Sequence, residues 1–213
     1  SLGLAKTIPV VARDGGESRV SAVYQAPDRK SFVLALKDAP EIWEIATDPE
    51  AGPFHDGFVH SHEKNMNEAL AAEKGLFARR RILTKEPLDD FFFSPDYSNL
   101  IGTNRDGDKG VVVNLDVGRE IAELPLPGMP HLGSGITWER NGHRVMATPH
   151  LNEGVLSVID MQDWTLVKQI KTDGPGFFLR SHDSSPYVWA DVFFGPHKDE
   201  MHIIDKQSLE IVQ

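Results

Sequence analysis

The chain's 213 residues, 40% hydrophobic and 25% charged, have ordinary globular composition and enough length to bury a core. A formal net charge of -10 repels phosphate backbones and anionic lipid, so the expected partner is a small molecule or a basic protein, with no nucleic acid and no membrane. The absence of cysteine excludes a disulfide framework, a thiolate nucleophile, a zinc–thiolate site and a Cys-x-x-Cys-His attachment for covalent haem.

The opening Ser1-Leu2-Gly3-Leu4 has neither the basic nor the apolar region of a signal peptide, and no apolar run of about 18 residues offers a membrane span. A processed or truncated chain would have lost such a leader. Lys6 to Val10 reads as the last strand of a preceding sheet. Strands follow at Arg19 to Tyr24, Ser31 to Lys37 and Glu41 to Ala46, with a fourth near Arg80 to Lys85 after an insertion at about residues 50–78. Within the insertion, Glu63 to Lys74 is helix-prone and meets no breaker until Gly75. His55, His60 and His62 have loose zinc-ligand spacing there, but no carboxylate stands at fixed helical spacing, so no metal site is assigned. Arg79-Arg80-Arg81 reads as a solvated strand edge.

The next strands are Asp90 to Ser94, Leu100 to Arg105, Val111 to Asp116 and Glu120 to Leu126. A third set runs Gly135 to Glu139, Arg144 to His150, Val155 to Met161 and Leu166 to Thr172, and a fourth extends from Phe177 to Gln213. Val113-Asn114-Leu115-Asp116, Ser157-Val158-Ile159-Asp160 and His202-Ile203-Ile204-Asp205 repeat at spacings of 44 and 45 residues, the length of one propeller blade. The fold class is therefore all-β: about four four-stranded blades of a larger β-propeller, occupying residues 1–213. A closed ring of four is disfavoured, because no spare strand at the far end completes the blade that Lys6 to Val10 would belong to.

In each blade the loops from fourth strand to first and from second to third share one face. The former are Ala12 to Ser18, Glu86 to Asp89, Pro127 to Ser134 and Asp173 to Gly176. The latter are Asp38 to Pro40, Asn104 to Lys109, His150 to Gly154 and Phe194 to Asp199. They gather Arg19, Asp89, Asp90, Arg105, His131 and His150 beside Phe91-Phe92-Phe93, which suits a flat, charged cofactor better than a peptide. Each has a plainer structural explanation: His131 and His150 as hydrogen-bonded loop residues, the three phenylalanines as strand core, and Arg19 as a partner of Glu17 or Asp14. His143 and His182 fall at the opposite face and are given no catalytic role.

Four segments carry a family resemblance: Ser18-Arg19-Val20-Ser21-Ala22-Val23, Leu88-Asp89-Asp90-Phe91-Phe92-Phe93, Met129-Pro130-His131-Leu132-Gly133-Ser134-Gly135 and Thr148-Pro149-His150-Leu151. They resemble the haem d1 propeller of the cytochrome cd1 group, whose ring has about eight blades. The nitrite reductases of that group place two histidines over haem d1; His131 falls on the second, Asp89 replaces the first, and Ser134 replaces a following arginine. These departures point away from nitrite reduction and towards the group's dihydro-haem d1 dehydrogenases, which convert a propionate side chain to an acrylate in haem d1 biosynthesis. The resemblance implies His131 as base and Asp89 as its orienting carboxylate. It also implies Arg19, Arg105 and His150 around the macrocycle, the guanidiniums pairing its carboxylates. Haem d1 would be the bound substrate or product. A c-type haem and the proximal iron ligand would lie outside this chain, on the missing blades, a cytochrome c domain or an electron-transfer protein, in the periplasm. A non-enzymatic haem d1 carrier or assembly protein, a nitrite reductase d1 domain and a protein-binding platform remain as alternatives.

Overall fold

Val- and Ile-rich runs between tight turns, such as Gly110–Asn114 and Val155–Asp160, favour pleated strands over helices, and strands dominate the chain. The computed structural model describes residues 3–55, 72–104 and 109–213, where strands are joined by turns and two single-turn 3₁₀ helices. The chain divides into two units, Ser1–Asp89 and Asp90–Gln213.

In the first unit, β1 (Val20–Ala26), β2 (Ser31–Leu36) and β3 (Glu41–Ala46) form an antiparallel meander. Two short strands, β4 (Phe54–His55) and β5 (Ala72–Glu73), pair with each other, and β6 (Arg79–Leu83) completes the sheet in the order β1-β2-β3-β6. Most of the helix-prone stretch, with His60, His62 and the side chain of His55, lies outside the described residues; its described end is β5. Lys6 to Val10 pairs with no strand among the described residues, and the nearest ladder contact is the isolated bridge between Val11 and Glu17. A strand needs a partner edge, and none among the described residues runs beside this segment.

Every residue of β3 is buried, including Glu41 and Glu44. Buried carboxylates require partners, and these come mostly from arginines. Glu41 accepts from Trp43 Nε1 at 2.8 Å, Arg81 Nη1 at 3.1 Å and the Arg13 amide at 2.5 Å. Glu44 takes Arg29 at 2.7 Å, Arg80 at 3.4 Å and the Ser31 hydroxyl at 3.0 Å. Arg79 pairs with Glu73 at 2.8 Å and stacks its guanidinium 4.5 Å from the Trp43 ring centre. The arginine run is thus half-buried and ion-paired, not a solvated edge, because the neighbouring strand holds two buried carboxylates.

The described residues of the second unit form three sheets. β7 (Asp90–Phe93), β8 (Asn99–Thr103), β9 (Gly110–Asn114) and β10 (Arg119–Leu124) form one; β11 (Ile136–Arg140), β12 (His143–Pro149), β13 (Val155–Asp160) and β14 (Leu166–Lys171) form the next. The last is β15 (Leu179–Ser181), β16 (Tyr187–Asp191) and β17 (Met201–Asp205), beside which Ile211 bridges Ile204 in the fourth strand's place. Central strands β8, β9, β12 and β13 are largely buried on both faces, whereas β10 and β14 expose alternate residues. That pattern is what a blade packed between neighbours requires. One core joins the first and second of these sheets through Ile101, Val112, Leu132, Met146 and Ile159, and another joins the second and third through Trp138, Val158, Ile170, Val188 and Ile204.

The turn after each third strand is held by one side chain accepting from main-chain amides: Asp160 from Gln162 at 2.8 Å and Asp205 from Ser208 at 2.8 Å. In the first sheet of the unit that acceptor is Asn114, bonded to the amides of Asp116 and Val117 at 3.0 Å. Asn114, not Asp116, is therefore the structural counterpart of the later aspartates.

Candidate functional site

The loop between β10 and β11 carries His131, and its course is fixed from several sides. Met129 takes a left-handed conformation at φ 57°, Pro130 bridges to His150, and the His131 amide donates to the Pro149 carbonyl at 2.8 Å. Leu132 is sunk in the core, the buried Ser134 donates its amide to the His131 carbonyl at 3.1 Å, and Gly133 donates to Asp90 Oδ2 at 2.7 Å. A 3₁₀ turn over Leu132–Ser134 follows, so His131 projects from a braced segment.

The His131 ring is half-buried, with Nδ1 2.8 Å from the Phe177 carbonyl oxygen. A carbonyl only accepts, so Nδ1 carries the proton, and in the neutral ring Nε2 is the unprotonated nitrogen. The ring centre lies 4.2 Å from that of Phe177, which begins an aromatic cluster: Phe177 to Phe178 at 4.8 Å, Phe177 to Phe193 at 5.3 Å and Phe193 to Phe194 at 4.8 Å. Phe178, Phe193 and Phe194 are 45%, 49% and 43% exposed, an unusual amount of free aromatic surface in one place. These phenylalanines were not singled out from sequence. Their signal is the two loop pairs Gly176-Phe177-Phe178 and Phe193-Phe194-Gly195. By contrast Phe91 is buried and Phe92 packs in the core, the structural role expected of that run.

His150 is fully enclosed and engaged at both nitrogens, Nδ1 with the Pro127 carbonyl and Nε2 with the Ser157 hydroxyl at 2.9 Å. Burial holds its pKa below the ordinary histidine value against the opposing pull of the Pro127 carbonyl and Glu153. It braces both ends of the His131 loop, at Pro127 and Pro130, and presents no ring atom at the surface.

Asp89 and Arg19 belong to the first unit. Asp89 is ion-paired with Lys37 at 2.6 Å. Arg19 grips Asp38, not Glu17 or Asp14, through Nε at 2.9 Å and Nη2 at 2.5 Å, and this hydrogen-bonded pair holds the Asp38 carboxyl well below the usual carboxylate range. Its head remains largely in solvent. Arg105 lies outside the described residues. At the opposite end of the second unit's blades a cavity of about 500 Å³ opens between Trp138, Arg144, Ser185 and Lys206. Its lining is already engaged, Trp138 Nε1 donating to the Lys206 carbonyl beside the next sheet at 3.1 Å and Arg144 pairing with Glu139 across its own sheet at 2.6 Å.

The whole chain, residues 1–213, matches the family described as the Cytochrome D1 heme domain. The dihydro-heme d1 dehydrogenase of Pseudomonas aeruginosa is 48% identical over 210 residues, 99% of this chain and 38% of that protein. Among solved structures, dihydro-heme d1 dehydrogenase NirN in complex with DHE is similar at a TM-score of 0.83 and 47% identity, covering 100% of this chain and 40% of that one. Hydrazine synthase of Kuenenia stuttgartiensis, at 13% identity and a TM-score of 0.63 over 91% of this chain and 48% of that one, shares the fold alone. The chain spans about two fifths of the length of the dehydrogenases it matches. With its all-β sheets forming part of that propeller, it belongs to the cytochrome d1 haem domain family.

Proposed function

We propose that this chain forms the substrate-binding part of a dihydro-haem d1 dehydrogenase, and that His131 is the base that removes a proton from the propionate side chain. The observation that carries this reading is the fixed His131 ring, its Nδ1 committed to the Phe177 carbonyl and its Nε2 without a hydrogen-bond partner among the described residues, beside exposed phenylalanine faces. Flat aromatic surface suits one face or edge of a tetrapyrrole, and an imidazole with an unprotonated nitrogen is suited to take a proton.

The reaction converts –CH₂–CH₂–COO⁻ to –CH=CH–COO⁻. Two C–H bonds break, and two protons and two electrons leave. His131 Nε2 accepts one proton from the carbon beside the ring or the carboxylate, the second passes to solvent, and the electrons leave through the conjugated macrocycle. Two one-electron transfers would remove them, to a c-type haem on another part of the protein or on a partner that is reoxidised between the two, and we place the reaction in the periplasm. Arg19 is suited to pair a substrate carboxylate by exchange with Asp38, since its guanidinium faces solvent. Ser134 supplies no guanidinium near His131, which weighs against nitrite reduction.

The test is to add dihydro-haem d1 and a one-electron oxidant to the intact protein and to follow the visible spectrum. Conversion of the bound pigment to haem d1 supports the assignment. Tight binding with no conversion would make the protein a carrier.

A further inference from the structure

Asp191 ends β16, and a single carboxylate oxygen, Oδ1, accepts two main-chain amides, Phe177 N–H at 2.8 Å and Phe178 N–H at 2.7 Å. The second of these belongs to the peptide group whose carbonyl is that of Phe177. This one peptide is therefore bonded at both ends, its N–H to a carboxylate and its C=O to His131 Nδ1 at 2.8 Å. Hydrogen bonds in series polarise one another, and a carboxylate is a strong acceptor with which to begin the series.

The loop is pressed against the end of β16. Phe193 and Phe194 donate their amides to the Pro175 carbonyl at 2.9 and 3.1 Å. A Cβ at Gly176 would lie 2.7 Å from the Asp191 carbonyl oxygen, so only glycine allows this approach. Without the carboxylate, two amides would lose their acceptor and the Phe177 carbonyl would be free to rotate away from His131.

We infer that Asp191 is a positioning residue that acts on His131 through the Phe177–Phe178 peptide group, aiming the Phe177 carbonyl at Nδ1 and keeping Nε2 free for the substrate. The arrangement resembles an aspartate orienting a catalytic histidine, with one peptide unit interposed. It rests on His131 being the base, and it places the orienting carboxylate on β16, in the second unit with His131.

The experiment uses the intact protein with ¹⁵N-labelled histidine, the His131 ring signals being identified by their loss in His131→Ala. In the wild type Nδ1 carries the proton. In Asp191→Ala the ring shifts towards the Nε2–H tautomer, and single-turnover oxidation slows about 10–100-fold, more than tetrapyrrole affinity falls. Asp191→Asn, which keeps an acceptor oxygen without the charge, restores the tautomer and part of the rate. An unchanged Nδ1–H tautomer in Asp191→Ala overturns the inference whatever the activity. Should that variant fail to fold, Asp191→Asn decides: a reduced rate at unchanged affinity supports the relay, and a wild-type rate overturns it. Wild-type turnover by His131→Ala would sink the assignment of the base instead, and the tautomer readout keeps the two failures apart.

Discussion

Burial sets the charge state of His150. Desolvation lowers its pKa in the fold, more than the Pro127 carbonyl and Glu153 raise it. Below about pH 6.5 the unfolded chain therefore takes up a proton that the folded chain refuses. The stability His150 contributes is complete above its unfolded pKa and drains away as pH falls towards the folded value. His197, exposed beside Glu200, has a raised pKa and the opposite sign, its contribution being lost as pH rises through the folded value, but salt screens it. Asp38, Asp96 and Asp205, whose pKa values are lowered, lose their contributions only below about pH 4. At high salt the thermal midpoint should fall between about pH 7.5 and 5, and His150→Gln should remove part of that dependence. An identical pH profile in the variant would contradict this. The loop position of His131 was legible from its place between Pro130 and a glycine-rich turn, whereas its proposed role came from the family resemblance. Asp191 was not, since its partners are main-chain amides, which leave no mark in sequence.

Among the described elements, β3 buries two carboxylates, Glu41 and Glu44, so its stability depends on charge pairing. Truncating Glu41 strips acceptors from the Trp43 indole and the Arg13 amide and leaves the Arg81 guanidinium without that carboxylate. Glu41→Ala should cost about 3–5 kcal/mol in denaturant unfolding, and Glu41→Gln, which keeps an acceptor oxygen, less. Equal, small losses in both would show that the pairing is dispensable. Strand positions were readable because apolar runs and turn signals are local: Asn141 and Gly142, with φ of 51° and 83°, make the two-residue hairpin turn their sequence announces. The alignment of Asp116 with Asp160 and Asp205 was off by two residues. A two-residue slip keeps every side chain on its own face, so the hydrophobic pattern alone does not reveal it. Nor did the arginine run declare its partners, because Glu41 and Glu44 lie on a strand distant in sequence.

In the last sheet, Val188, Ala190 and Ile204 pack into the core shared with the preceding one, while the opposite face presents Tyr187, Trp189 and Met201. A propeller buries both faces of a blade between its neighbours, and this open apolar face fits a further blade of the ring. Chemistry on bound tetrapyrrole is therefore a property to measure in the intact protein, of whose known relatives this chain matches about two fifths. The most direct measurement is single-turnover oxidation of bound dihydro-haem d1 by His131→Ala beside the wild type, read by visible absorbance. His131→Ala should bind the pigment with near wild-type affinity and oxidise it about 10²–10⁴ times more slowly. Oxidation at the wild-type rate would mean that His131 only holds the loop and that the proposed chemistry lies elsewhere.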